Sequence, residues 1–323
     1  MNIIVVRWLN ICCISVFIMI AIGGATRLTQ SGLSMVNWKP LLGVLPPLNH
    51  EQWQESFDQY KKYPEYQKIN QFKQMNLDKY KNIYYWEYAH RLFGRILGLL
   101  FIIPPFIFFA KGYINRKFFQ HCLFCMFLIV LQGLLGWFMV KSGLIDNPHV
   151  SHYRLTAHLF LAFLLIGYVY WLKLKLEIKN ISGTYLKSLS LHINGIFFLY
   201  IIQILFGAFI AGTKAGLLWN TFPLMDGHLI PEGLLVLKPI YSNFFNNMKM
   251  FQFCHRLIGT SLLIYAAWFF YISRNEYYSK YVHFLFMAFL IQFYIGVITL
   301  LLRVPVVLGV MHQGFAVLIL LLL

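Results

Sequence analysis

The sequence predicts an all-α polytopic membrane protein in which eight transmembrane helices form two pseudo-symmetric four-helix bundles. The first observation is composition, since 59% of the 323 residues are hydrophobic and only 12% are charged, whereas soluble domains are about 45–50% apolar and about 25% charged. The second is the length of the apolar runs, which suits membrane-spanning helices and is too great for barrel strands. The third is a repeat that divides the chain into halves.

Eight apolar runs of about 20 residues follow one another along the chain. They lie at about 6–25, 89–110, 118–140, 155–174, 190–212, 253–272, 281–302 and 304–323. No small-residue cleavage site follows the first run, so we expect it to remain as a membrane helix. The chain also shows no Arg- and Ser-rich transit segment, which favours a bacterial protein.

Basic residues in short loops predict the orientation in the membrane. The loops after the second, fourth and sixth runs are rich in Lys and Arg, for example Lys111, Arg116, Arg274 and Lys280. We therefore expect a bacterial inner-membrane protein with both termini in the cytoplasm and with segments 26–85 and 213–250 outside. Because most Lys and Arg lie in the segments between the apolar runs, no nucleic-acid partner is expected.

The repeat is clearest in a His-Arg-Leu-x-Gly motif, which occurs at 90–94 and again at 255–259. In addition, the outer segment 23–41 resembles 207–224, and Gln-x-x-x-Gly begins at Gln132, Gln203 and Gln292. Gly four residues after Gln lies on the same helix face and permits close helix approach. The simplest explanation is an N-terminal unit, 1–180, and a C-terminal unit, 181–323, in parallel orientation.

A polar stretch at 50–82, rich in Lys, Gln and Tyr, lies within the external segment 26–85 of the first unit. It is too polar to span a membrane. We expect an external amphipathic helical hairpin that caps the N-terminal site. Its role is either in substrate entry or only that of a surface loop.

Four histidines share one predicted depth in the outer leaflet, because each lies near the beginning of a span that starts outside: His90, His158, His255 and His312. Ionisable residues in spans usually face the bundle interior and mark function. Zinc would need three or four ligands, and no carboxylate or thiolate completes such a set in both units. A haem needs only axial ligands from the protein, so each unit is expected to offer one imidazole pair to a haem iron.

Three arginines are candidates for binding the anionic propionates of haem. Arg91 and Arg256 each follow one of these histidines, and Arg154 is a further candidate. The alternative for these arginines is anchoring at the membrane interface.

The two units differ in one carboxylate. Glu87 precedes His90 by three residues and lies on the same helix face, whereas Gln252 precedes His255. A carboxylate near a desolvated site can exchange protons. Glu87 is therefore predicted to be catalytic and the N-terminal site to be the reactive one. The alternative is that Glu87 only bonds an imidazole or an arginine.

Several motifs together resemble the haem A synthase family, in its proteobacterial and mitochondrial form. They are EYAHRLFGR, GGATRLTQSGLSMVNWKP, VKSGL with SHYRLTAHL, NTFPLMDG, FCHRLIGT and VMHQG. The resemblance implies an oxidoreductase that converts a methyl group of haem O into a formyl group, giving haem A for cytochrome oxidases. It also implies that His255 and His312 ligate a haem b cofactor, that His90 and His158 face haem O, and that Glu87 is the essential acid.

Two other functions stay open on the sequence. One is a di-haem b membrane electron-transfer protein without haem-modifying activity. In such carriers ligands to two different haems often share one helix, whereas here four helices supply one His each, which disfavours this function. The other is a haem-transport or assembly factor without turnover. The expected partners are haem O, a haem O synthase, an electron-transfer partner and membrane lipid. The sequence leaves open whether the chain forms a homo-oligomer.

Overall fold

The computed structural model describes residues 2–36, 45–144, 150–177 and 186–323. Within these ranges the chain is helical apart from connecting segments, and seven helices are long and apolar enough to cross a membrane. The predicted all-α membrane class is therefore confirmed. The predicted boundary between residues 180 and 181, and residues 37–41 of the outer repeat, lie outside the described residues.

The first compact unit ends at Glu177. It contains α1 (Ile3–Leu28), the short α2 (His50–Tyr60), α3 (Leu77–Ala110), α4 (Arg116–Gly143) and α5 (His152–Glu177). Helix α1 contacts α3 and α5, and α4 contacts the same two helices, so the four long helices close a ring. Asparagine side chains accept the free N–H groups at the beginnings of α1 to α4, from Asn2, Asn49, Asn76 and Asn115.

The second unit contains α6 (Leu186–Thr213), the single turn α7 (Asn243–Asn246), α8 (Met248–Ile272), α9 (Ser279–Leu301) and α10 (Val306–Leu322). Helix α8 contacts α6 and α9, and α9 contacts α10. The Tyr200 hydroxyl of α6 donates to the Ala316 carbonyl of α10 at 2.6 Å. The long helices of this unit thus follow the same order around a ring as those of the first.

The eighth predicted span corresponds to α10, which is shorter than the others. It has 17 residues and is about 26 Å long, which is the lower end of the range for a membrane span. The chain turns at Pro305, immediately before α10 begins. The presence of eight spans therefore stays a prediction, with seven helices meeting the usual length.

The predicted helical hairpin at 50–82 takes a specific form. Helix α2 leads into a π-helical turn at Tyr66–Asn70, and α3 then begins at Leu77, twelve residues before the apolar run. With 34 residues, α3 is about 51 Å long, which exceeds a hydrocarbon core of about 30 Å. Trp53, Phe57 and Tyr60 of α2 pack on Tyr80 and Tyr84 of α3 and on Met35. The hairpin therefore covers the first turns of α3 and the segment after α1.

The two similar outer segments have matching backbones. Gln30 and Lys214, just after the ends of α1 and α6, adopt left-handed φ angles of 55° and 58°. Ser31 and Ala215, the residues that follow them, are both fully buried. The sequence repeat is thus also a repeat of local structure.

Candidate functional site

Each of the four histidines predicted to share one depth lies against a glycine on the preceding long helix. The pairs are Gly23 with His90, Gly136 with His158, Gly207 with His255 and Gly296 with His312. The repeated element is therefore a pair of helices, which occurs four times, whereas the sequence predicted a four-helix unit that occurs twice. All four histidines are partly buried.

The Gln-x-x-x-Gly motif places its glutamine beside the same histidine. The side-chain amides of Gln132 and Gln292 donate to the backbone carbonyls of His158 and His312, both at 3.0 Å. The side-chain amide of Gln203 lies 3.4 Å from Nε2 of His255. The Gln-x-x-x-Gly motif is absent from the first helix pair, because Met19 stands four residues before Gly23, where the other pairs have glutamine. The glycine alone marks all four pairs.

A backbone carbonyl contacts one of the imidazoles, since Nδ1 of His255 lies 3.2 Å from the Gln203 carbonyl. Nδ1 of His158 and Nδ1 of His312 are buried and have no hydrogen-bond partner among the described residues. Metal-ligating histidines usually direct one ring nitrogen to such a carbonyl and present the other to the metal. For His255 this leaves Nε2 as the nitrogen that would bind iron, in place of its 3.4 Å contact with the Gln203 side-chain amide.

The pair in the second unit has the spacing of two ligands on opposite sides of one metal. The ring centres of His255 and His312 are 6.3 Å apart, with planes inclined at 74°. A metal–nitrogen bond of about 2.0 Å, plus about 1.1 Å from nitrogen to ring centre, gives about 6.2 Å for two such rings. Within the described ranges, no group of three or more His, Cys, Asp or Glu side chains is placed to hold a metal ion. The donor set thus suits axial ligation of a haem iron and does not suit zinc.

His90 and His158 lie at the equivalent positions of the first unit, each against its own glycine. His90 differs from the other three in its contact, because a Cβ on Gly23 would lie 3.3 Å from its Nε2 atom. In the other three pairs the nearest ring atom is Cε1. The two units therefore present their first histidine differently.

Glu87 is buried and holds the segment that follows α1. Its carboxylate accepts hydrogen bonds from the Ser34 hydroxyl and the Met35 amide, both at 2.7 Å. It also forms an ion pair with Arg91, which donates to the Met35 carbonyl at 2.9 Å. Residues three before and one after His90 thus clamp segment 31–36 to α3. The sequence did not indicate Ser34, whose counterpart in the repeat is Leu218 and so has no hydroxyl.

The second unit uses an amide in the same place. Gln252 donates to the Leu218 carbonyl at 2.9 Å and accepts a longer bond of 3.3 Å from Arg256. Arg256 donates to the carbonyls of Trp219 and Thr221, each at 2.7 Å. The predicted Glu/Gln difference therefore changes the direction of the bonds, since the carboxylate accepts from its segment and the amide donates to its segment.

The three arginines predicted to bind propionates have protein contacts of their own. Arg91 and Arg256 bind the carbonyls of the outer segments, and the Arg154 guanidinium lies 4.3 Å from the ring centre of Phe138. A role in holding the outer segments is thus visible for Arg91 and Arg256. Binding of haem propionates by any of the three stays a prediction.

The sequence matches known proteins over nearly its whole length. The COX15-CtaA model, described as cytochrome oxidase assembly protein, matches residues 6–323. The heme A synthase of Nitrosospira multiformis is 45% identical over 320 residues, covering 96% of this chain and 89% of the relative. The heme A synthase of Parvibaculum lavamentivorans is 43% identical over 301 residues, covering 93% and 87%. That of Wolbachia from Brugia malayi is 40% identical over 316 residues, covering 96% and 91%.

Proposed function

The chain belongs to the COX15-CtaA family of cytochrome oxidase assembly proteins, and on that premise we propose that it is a haem A synthase, a membrane oxidoreductase that converts a methyl group of haem O into the formyl group of haem A. The observation that carries this proposal is the difference between two otherwise equivalent imidazole pairs. One pair has the carboxylate of Glu87 beside it, and the other has the amide of Gln252. A protein that only carried electrons would have no need of this difference.

We assign His255 and His312 as the axial ligands of a resident haem b. The 6.3 Å between their ring centres supports this assignment, as does the Gln203 carbonyl at Nδ1 of His255. When bound, the haem supplies an iron that changes its redox state by one electron. The protein contributes two neutral ligands and an enclosed apolar setting, both of which adjust the reduction potential of such an iron.

We assign His90 and His158 to the substrate, haem O, with Glu87 as the catalytic residue beside it. The carboxylate is held by Ser34, Met35 and Arg91, so three groups fix its position relative to His90 on α3. Its contacts come from donors, which leaves it as a proton acceptor once one of them moves. Arg91, one residue after His90, is the nearest candidate for a substrate propionate.

With water as the source of the oxygen atom, converting a methyl group into a formyl group releases four electrons and four protons, so the electrons pass to a redox partner. We therefore include an electron-transfer partner in the proposal, together with a haem O synthase as the source of substrate. The chain is a multi-pass membrane protein. The basic loops after α3, α5 and α8 support an inner-membrane protein with these loops in the cytoplasm and both haem sites toward the periplasm.

The test is a product assay in membranes that contain a haem O synthase. Haems are extracted and separated by chromatography after expression of the parent chain or of Glu87→Gln. The parent is expected to yield haem A, whereas Glu87→Gln should leave haem O unconverted and keep bound haem b. A parent chain that holds haem b but yields no haem A would instead support the di-haem electron carrier.

A further inference from the structure

We propose that Gly23, Gly136, Gly207 and Gly296 are positioning residues, each of which sets the plane of one imidazole so that its nitrogen can reach a haem iron. This inference rests on the proposed function, since it concerns the same two sites. A Cβ on Gly296 would lie 2.8 Å from Cε1 of His312, and one on Gly207 would lie 3.1 Å from Cε1 of His255. The corresponding distance is 3.3 Å at both Gly136 and Gly23.

Close contact with an imidazole is not a general property of the helical glycines in this chain, although Gly195 lies against the Tyr265 ring. Gly133 lies on α4, three residues before Gly136, and a Cβ there would meet no atom within 4 Å. A Cβ on Gly94 would meet only the flexible end of Met19, at 3.4 Å. The four imidazole contacts thus occur at equivalent positions of four helix pairs.

Alanine would be the better residue for the helices themselves, because glycine in a helix interior costs more conformational entropy. The space left by the missing Cβ is occupied by the face or edge of an imidazole. That ring has two free torsions, and the Gln203 carbonyl at Nδ1 of His255 restrains only one edge. The glycine backbone restrains the adjacent edge and so limits rotation of the ring.

An added methyl group therefore has a specific effect. The helix backbone cannot move aside, so the ring must turn or shift. A free histidine side chain can do so without unfolding the protein. A histidine that must present Nε2 to iron cannot turn or shift in this way, because ligation fixes both the direction and the distance of that nitrogen. We expect alanine to preserve the fold and to weaken haem binding.

The first experiment concerns the second unit and uses purified full-length protein. Gly296→Ala and Gly207→Ala are compared with Gly133→Ala in haem b titrations followed by the low-spin absorption spectrum. Residues that orient a metal ligand typically contribute about 10- to 100-fold to affinity, so at least about tenfold weaker binding is expected for Gly296→Ala. Gly207→Ala should be weakened as well, to a similar or smaller degree. Gly133→Ala should match the parent.

Circular dichroism and size-exclusion chromatography establish that each variant is folded. If Gly296→Ala does not accumulate, Gly207→Ala carries the test, because its added methyl group has more clearance. Parent-like affinity together with a parent-like spectrum in a folded Gly296→Ala or Gly207→Ala variant overturns the proposal.

The second experiment concerns the first unit. Gly23→Ala and Gly136→Ala should keep haem b and bind added haem O about tenfold more weakly, measured by spectral titration without turnover. Unchanged haem O affinity in both variants overturns the inference for this unit. A failure of the proposed function would look different, because the parent would then form no haem A while the glycine variants still lost haem affinity.

Discussion

Replacing Glu87 with alanine should release the outer segment 31–36 from α3. Glu87 is 2% exposed and its partner Arg91 is 10% exposed, so the ion pair is buried. The change removes the carboxylate that pairs with the Arg91 charge and accepts from the Ser34 hydroxyl and the Met35 amide. Arg91 keeps the Met35 carbonyl and Ser34 keeps the Ile83 carbonyl at 3.3 Å. Removing one member of a buried pair costs about 3–5 kcal/mol, and each buried donor left unsatisfied costs about 1–3 kcal/mol. Because these effects share one network and do not add, we expect about 3–5 kcal/mol in total.

Hydrogen exchange at the Met35 amide measures this effect directly, because that N–H donates to the carboxylate. Local opening free energies set exchange protection, and about 1.4 kcal/mol corresponds to a factor of ten. Glu87→Ala should therefore lower protection at Met35 by about a hundredfold or more. Gln252→Ala is the matched control, since it removes the equivalent amide in the other unit and should leave Met35 unchanged. Parent-like protection at Met35 in folded Glu87→Ala would refute the clamp.

Three further predictions concern the predicted haem-site histidines and Tyr60 of the hairpin. His255→Ala and His312→Ala should each lose bound haem b, and a normal low-spin haem spectrum in both variants would contradict the ligand assignment. His90→Ala should keep haem b and stop haem A formation in the extracted-pigment assay, so full conversion would remove His90 from the substrate site. Burial, with the neighbouring Glu65, raises the pKa of Tyr60, so the neutral phenol is favoured in the folded hairpin. Its stabilising effect should be complete below the ordinary tyrosine pKa of about 10 and be lost as pH rises above it, as measured by protease sensitivity of α2. Tyr60→Phe should reduce this alkaline loss and leave the part due to Tyr80, whose pKa burial also raises.

Features that depend on neighbouring residues in the chain were predictable. Membrane helices follow from runs of apolar residues, and the family follows from motifs that include the histidines and Glu87. The start of α3 was not predictable in this way. Residues 77–88 are too polar and aromatic to be predicted as part of a membrane helix. In the structure they form the first turns of α3, where α2 packs on Tyr80 and Tyr84. Tertiary packing thus extended a helix beyond its apolar run.

The same distinction applies to the candidate site, where some features were predictable from neighbouring residues and others were not. The histidines, Glu87 and the Glu/Gln difference were visible in the sequence because they lie within short repeated motifs. An arginine partner for Glu87 was also expected, and Arg91 is that partner. Ser34 was not expected, because it is 53 residues away along the chain and its counterpart Leu218 carries no hydroxyl. Gly23 was not expected either, since the Gln-x-x-x-Gly motif that marks the other three glycines lacks its glutamine there.

By itself the sequence determined which helices can enter a membrane, which side chains can ligate a haem, and which of the two sites contains a carboxylate. These properties belong to single residues and to their spacing of three or four along one helix. Only the tertiary structure decided that His255 and His312 face each other at 6.3 Å, that each imidazole lies on a glycine of another helix, and that Glu87 holds the segment after α1. Distances between helices depend on how whole side-chain surfaces pack, and that packing cannot be read from residues one at a time.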